Sequence, residues 1–321
     1  MLESIISALG LGTPTRDIQR LSGGFLHKMY DVQTESGRYA VKLLNPAIMQ
    51  RPDAPGNYQR AEKIEDLLEE SNLPILPALR INGQKLHCVD GQYVQCYPFF
   101  EGKALSPAAV TPAHSAKIGA ALARLHAVDR RVDGFEPAEM SIDWESSLPA
   151  LTSTDTECAF LLTNALPLLK HTQERRNRAI HRIPRVLSIC HNDMDVKNVL
   201  WNGEDFRIID LECLGYASPM LEFMELALCW SGAECDTIRP ENLLSFARAY
   251  KEAGGEMPTD YESLFDANWD RPYWLEYNVQ RALSSDPEER TVGLSEVKNT
   301  IDYIARLESQ RGTVFKILAA L

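Results

Sequence analysis

The sequence predicts an α+β protein: a small N-terminal lobe, in which an antiparallel sheet carries one helix, followed by a larger, mainly helical C-terminal lobe. Three observations predict it. At 321 residues the chain is long enough for roughly two lobes, each with its own core. The first hundred residues run in short alternating stretches of β type, interrupted by one helical pattern. From Glu101-Gly102 onward, apolar residues recur at helical spacing instead.

In chain order, Met29, Tyr30 and Val32 precede a turn at Ser36-Gly37, and 39–44 returns as the second strand of a hairpin, with the pair Gly23-Gly24 ahead of it. Over 58–71, Ala61, Ile64, Leu67 and Leu68 line one helical face opposite acids, and Asn72 and Pro74 stop the helix. Strand-like runs follow at 86–89 and 93–100. The expected division is a lobe over 1–97, a hinge at 98–102 and a second lobe over 103–321. In that second lobe the helical patterns cover 112–127, 156–179, 219–230 and 241–253, the last stopped by Gly254-Gly255. Asp286-Pro287 then places a capping residue before a proline, opening helical segments to the end. No repeat of 20 to 50 residues and no low-complexity stretch is present.

Composition excludes several classes. Hydrophobic residues make up 45% and charged residues 24%, an ordinary globular balance rather than a disordered one. With 33 Lys plus Arg against 45 Asp plus Glu, the net charge of −12 disfavours nucleic acid and anionic membranes as partners and agrees with a cationic small molecule. The seven cysteines include no CxxC pair and read as buried free thiols of a reducing compartment. The first residues have no basic leader, and no window reaches the roughly 18 apolar residues of a membrane span, so the expected location is cytoplasmic.

The chemistry concentrates in His191-Asn192-Asp193-Met194-Asp195-Val196-Lys197-Asn198, a polar loop after an apolar run, and in Ile208-Ile209-Asp210-Leu211-Glu212 downstream. Phosphoryl transfer needs a carboxylate facing the attacking hydroxyl and oxygen ligands for Mg2+. Asp193 and Asn198 have the HxDxxxxN spacing that supplies the first and one of the second. Asp210, after an apolar strand, supplies another metal ligand.

On these motifs and the order of the upstream elements, the chain resembles the aminoglycoside phosphotransferase and choline kinase superfamily, small-molecule kinases with a protein-kinase-like fold. The resemblance spans about residues 20–230. It implies Asp193 as the catalytic residue, Asn198 and Asp210 as Mg2+ ligands, His191 as a brace of the loop, and ATP (or GTP) as phosphoryl donor. It further implies that Ser22, Gly23 and Gly24 form a turn over the phosphates, although the full GxGxxG is missing, and that Lys42 in Tyr39-Ala40-Val41-Lys42 contacts the α and β phosphates. The partner of Lys42 is expected on the following helix, with Glu62 chosen over Glu65 and Glu69. In the hinge, Pro98 has no N–H and offers only its carbonyl to the purine. The complementary N–H comes from Tyr97, Phe99 or Phe100, and the resemblance favours Phe100. His126 and Glu222 match recurrent positions and are read as structural.

The chain departs from the pattern at Asp195, where relatives carry Lys or His; Lys197, two positions on, either reaches the transferred phosphate or is a surface lysine. Glu212 supports the metal, the acceptor or its own backbone. Trp269, Trp274 and Tyr277, with Asp266, Asp270 and Glu276, form either an acidic aromatic acceptor pocket or a helix-packing cluster with a solvated face. The reading that results is an Mg2+-requiring kinase acting on a hydroxyl of a small molecule such as an aminoglycoside, another amino sugar or an amino alcohol. The alternative is a non-catalytic nucleotide-binding pseudokinase acting through partner contacts. A protein kinase ranks last, because no A-P-E sequence follows Asp210 and little chain separates it from Pro219.

Overall fold

The structure, a computed structural model, describes residues 2–21, 27–132, 134–233, 235 and 237–321. In order, the elements are α1 (Leu2–Ala8), β1 (Gln19–Leu21), β2 (Lys28–Thr34), β3 (Gly37–Leu43), α2 (Pro46–Met49), α3 (Ala54–Glu69), β4 (His87–Val89), β5 (Gln92–Pro98), β6 (Lys103–Ala104), α4 (Pro112–His126) and β7 (Arg130–Val132). They continue with α5 (Leu148–Thr154), α6 (Thr156–Ile180), β8 (Val186–Cys190), β9 (Val199–Asn202), β10 (Asp205–Ile208), β11 (Gly215–Ala217), α7 (Pro219–Cys229), α8 (Pro240–Glu252), α9 (Tyr261–Ala267), α10 (Arg271–Ala282) and α11 (Pro287–Leu318). No helix among the described residues is long and apolar enough to cross a membrane.

The chain forms two compact units that are not two contiguous stretches. The first comprises residues 1–106 and 189–216, the second 107–188 and 217–321. The sequence reading put the division at the 98–102 hinge and assigned everything from 103 onward to the second lobe. Backbone pairing explains the difference: β6 pairs with β9, β9 pairs with β10, and Ile208 exchanges hydrogen bonds with Pro74 and Leu76, so 189–216 is stitched to the first stretch.

The first unit is built on a five-stranded antiparallel sheet of order β1-β2-β3-β5-β4. Side chains alternate along β3, so Val41 and Leu43 enter a core with Ile5 and Ile6 of α1, Val32, Val94 and Cys96, while Lys42 falls on the other face. The hairpin turn lies where Ser36-Gly37 predicted it, with Gly37 opening β3. Helix α3 starts at Ala54, four residues earlier than the pattern indicated. Pro55 falls in its first turn, where a missing N–H removes no helical bond. A further hairpin, β9–β10, turns at Gly203-Glu204, with Gly203 at φ 60, and stacks Trp201 on Phe206 at 4.8 Å.

The second unit is mainly helical. α4 packs closely on α8: a Cβ at Gly119 would lie 2.2 Å from the Phe246 carbonyl oxygen, so only glycine permits this approach. Buried His126 is bonded on both ring nitrogens, to Glu222 at 2.8 Å and to the Tyr250 hydroxyl at 2.9 Å, consistent with a structural role for both. α11, capped by Asp286 as the sequence indicated, packs on α10. The aromatic acceptor pocket does not form. Trp269 is buried edge-on against Phe265, Asp266 is engaged by Arg311 and Arg175, and Asp270 by Arg176. Trp274 and Tyr277 are exposed. None of the seven cysteines forms a disulfide, but Cys88 and Cys213 reach the surface, so the expectation of uniformly buried thiols holds only for some.

Candidate active site

The loop after β8 is held by its own polar groups. Buried His191 accepts the Asp193 N–H on Nδ1 at 3.2 Å and meets the Ile209 carbonyl with Nε2 at 3.1 Å, which fixes the tautomer with its proton on Nε2. Asn192 takes φ 62, a conformation Asn tolerates, and its amide donates to the Cys213 carbonyl at 2.9 Å. The Asn198 amide donates both to the Asp193 backbone carbonyl and to Asp193 Oδ2, each at 2.8 Å, so the Asp193 carboxylate cannot swing freely. Asp195 caps the turn that follows by accepting the Lys197 N–H at 3.1 Å. It also binds Lys197 Nζ at 2.7 Å, while Asp193 Oδ1 lies 3.4 Å from the same ammonium. Burial raises the Asp193 carboxyl above the ordinary carboxylate range, against the Lys197 charge that pulls it down.

Asp210 follows β10 in the left-handed region, at φ 63 and ψ 54. That turn directs its carboxylate to Lys42, whose Nζ donates to Asp210 Oδ1 and to Glu212 Oε2, both at 2.6 Å. Glu212 has two more partners: the Tyr58 hydroxyl donates to Oε2 at 2.8 Å, and His27 Nε2 lies 3.3 Å from Oε1. His27 Nδ1 accepts the Asn45 N–H at 3.0 Å, leaving Nε2 as the donor. Burial opposes the charge on Lys42, but the two carboxylates outweigh it and raise the pKa of the ammonium. Burial likewise pushes the Glu212 carboxyl up, yet the His27 hydrogen bond and the Lys42 charge bring it down to about 2.

Residues 17–264 match the phosphotransferase enzyme family, APH. The chain belongs to that family. No curated protein matches the sequence. Among solved structures, the spectinomycin phosphotransferase APH(9)-Ia in complex with ADP and spectinomycin is similar at 16% identity, a TM-score of 0.66 and coverage of 95% of this chain and 97% of its own. An amicoumacin kinase, hAmiN, in complex with AMP-PNP, Ca2+ and Ami is similar at 12% identity and a TM-score of 0.61, over 93% and 92% of the two chains. A microcompartment-associated aminopropanol kinase is similar at 17% identity and a TM-score of 0.61, over 97% and 99%. The protein is therefore a small-molecule phosphotransferase with a protein-kinase-like fold.

In this phosphotransferase the structure brings Lys42, Asp193, Asn198 and Asp210 into one unit, as it does Pro98 and Phe100. Glu62 is a correction: it does not meet Lys42 but binds Arg80 at 2.8 Å from the edge of α3. The face of α3 turned inward carries Tyr58, Ala61, Glu65 and Leu68, and Glu62 lies about a quarter turn from its centre. Neither alternative replaces it, because Glu65 accepts the Ala78 N–H at 2.7 Å and binds Lys85 at 2.8 Å, and Glu69 also binds Lys85. Ser22, Gly23 and Gly24 lie outside the described residues.

At the hinge, the Phe99 N–H donates to the Arg38 carbonyl. Hydrogen-bonded pairs alternate in an antiparallel ladder, so the Pro98 carbonyl points away from β3, on the side where the Cys96 carbonyl accepts the Leu79 N–H. Among the described residues no donor takes the Pro98 carbonyl and no acceptor takes the Phe100 N–H. Asn198 and Asp210 present oxygen donors, the ligand class of Mg2+; the Asn198 amide nitrogen is committed to Asp193, leaving its oxygen for a metal. Tyr58 and His27 escaped the sequence reading. Tyr58 looked like one more apolar position of a helix face, and His27 carries no spacing that ties it to a residue 185 positions away.

Proposed function

We propose that this phosphotransferase transfers the γ-phosphoryl group of ATP, with GTP as the alternative purine donor, to a hydroxyl of a small amine-bearing molecule such as an aminoglycoside or an amino alcohol. The observation that carries this reading is Asp193, held by Asn198 through one hydrogen bond to its carboxylate and one to its backbone carbonyl, in the same unit that pairs Lys42 with Asp210. Asp193 orients the acceptor hydroxyl. As its oxygen bonds to the γ-phosphorus and the bond to the β-bridging oxygen breaks, the proton passes to the carboxylate and ADP leaves. Lys42 contacts the donor phosphates, while the Pro98 carbonyl and Phe100 N–H hold the purine. Asn198 and Asp210 are the ligands for Mg2+, which when bound supplies charge neutralisation at the phosphates. Most of the rate then comes from positioning and from fixed charge rather than from covalent chemistry of the protein.

An amine-bearing acceptor is supported by the net charge of −12 and by the aminopropanol kinase among the similar structures. The test incubates the purified protein with Mg2+ and ATP or GTP against aminoglycosides, choline, amino alcohols and sugars, with mass spectrometry to detect an added phosphate. We expect a phosphorylated product that vanishes with Asp193→Asn while nucleotide binding stays near wild type. Unchanged turnover in that variant removes Asp193 from its role, and nucleotide binding without any product favours the binding-only alternative.

A further inference from the structure

We infer that Glu212, clamped by Tyr58 and His27, is the anchor that positions Lys42 for the donor phosphates, in place of any acid on α3. The inference rests on the reading of Lys42 as a phosphate contact given above. Lys42 is only 5% exposed, and an ammonium at that depth is costly unless paired. Every acid of α3 weighed for the task is engaged elsewhere: Glu62 by Arg80, Glu65 by Lys85 and the Ala78 N–H, and Glu69 by Lys85. The carboxylates that do reach Nζ are Asp210 and Glu212, each at 2.6 Å.

The two differ in how they are held. Glu212 Oε2 also accepts the Tyr58 hydroxyl at 2.8 Å, and Oε1 faces His27 Nε2 at 3.3 Å. His27 is oriented in turn by the Asn45 N–H at 3.0 Å. Both oxygens of Glu212 are thus pinned, by Tyr58 of α3 and by His27 just before β2, and the carboxylate presents one fixed edge to the lysine. Among the described residues Asp210 carries no second bond from a neutral side chain, and it is the residue assigned to the metal. An ammonium has three N–H donors, so Lys42 anchored on Asp210 and Glu212 keeps one for a phosphate oxygen. α3 contributes through a phenol hydroxyl instead of a carboxylate, and Tyr58, His27 and Glu212 are positioning residues acting through Lys42.

The test uses the full-length protein and an adenosine acyl-phosphate reagent that transfers its acyl group to a lysine beside bound phosphates, with Lys42 modification followed by mass spectrometry. Nucleotide KM and kcat are measured alongside, and thermal melts verify folding. Glu212→Gln and Tyr58→Phe should raise nucleotide KM, by about tenfold or more for Glu212→Gln and a few-fold for Tyr58→Phe, more than they lower kcat, and should change the rate of Lys42 labelling, since loss of the carboxylate frees the amine while loss of the anchor displaces it. Glu62→Gln should match wild type in each readout. If Glu212→Gln does not fold, Tyr58→Phe carries the test, since it removes one hydroxyl and no volume. Wild-type labelling and KM in both site variants, with Lys42→Met abolishing nucleotide binding, overturns the anchor and leaves the proposed function standing. A rise in nucleotide KM in Glu62→Gln equal to that in Glu212→Gln also overturns it. Wild-type nucleotide binding by Lys42→Met overturns the phosphate role of Lys42 and the anchor together.

Discussion

His191 joins two loops through one buried ring, taking the Asp193 N–H on one nitrogen and reaching the Ile209 carbonyl with the other. Each loop carries a residue assigned to the chemistry, Asp193 on one side and Asp210 next to Ile209 on the other. Truncation by His191→Ala leaves two backbone groups without partners and a hole where the ring packed. We expect a loss of about 2–4 kcal/mol in a urea melt. We also expect a fall in kcat larger than the rise in nucleotide KM, because the Asp193 N–H loses its acceptor beside the acceptor-facing carboxylate while Lys42 keeps its bond to Glu212. A melt at wild-type stability would show that the ring braces nothing. The histidine, aspartate and asparagine were legible in the sequence because a loop of fixed length lets their side chains meet, so spacing reports geometry. Glu212 was legible only as an acid near the site. Its task depends on which side chains it meets on α3 and just before β2, and that is settled by helix rotation and strand register, neither of which local spacing encodes.

At the scale of elements, the β2–β3 hairpin carries a charge cluster of its own. Asp31 of β2 accepts two bonds from Arg38 of β3, at 2.9 and 2.8 Å, and one from Arg16 at 2.6 Å. The Arg38 hydrogen bonds hold its carboxyl below the ordinary range, against burial and with help from Arg16. A carboxyl lowered in the folded state stabilises that state above its unfolded pKa, near 4, and the contribution is lost as pH falls through the lowered folded value. Asp31→Asn should therefore cost about 1–3 kcal/mol at pH 7, with the gap to wild type closing progressively below about pH 4. Urea midpoints across that range measure it, and a gap independent of pH would assign the effect to packing. Most long elements were legible, because the hairpin and the helices over 112–127, 156–179, 219–230 and 241–253 have strong periodicity and clear stops. The short α1, α5 and α9 were not, since seven residues give too few turns for a period to show. The start of α3 was misread because Pro55-Gly56 looks like a breaker unless the helix is already known to begin beside it.

For the whole molecule, the informative fact is that the first unit is assembled from two distant stretches. Backbone pairing across them, β6 with β9 and Pro74 and Leu76 with Ile208, means that residues 1–106 alone lack part of their own structure. A fragment of 1–106 should show no cooperative thermal transition by circular dichroism, whereas the full chain melts cooperatively. A sharp transition in the fragment would make the returning segment an accessory. Sequence patterns revealed the sheet-to-helix change near residue 102 but not this return, because pairing between stretches so far apart leaves no local periodicity.

The same split orders events during synthesis. Lys42 emerges from the ribosome 168 residues ahead of Asp210. At roughly 5–20 residues per second, it waits on the order of 10–30 s before either carboxylate partner exists. Until then the lysine has reason to remain in water, and the sheet cannot close over it without stranding a charge. The nascent chain therefore passes through a period in which its N-terminal strands are complete in sequence and unfinished in structure. That is the interval in which chaperones and proteases compete for it.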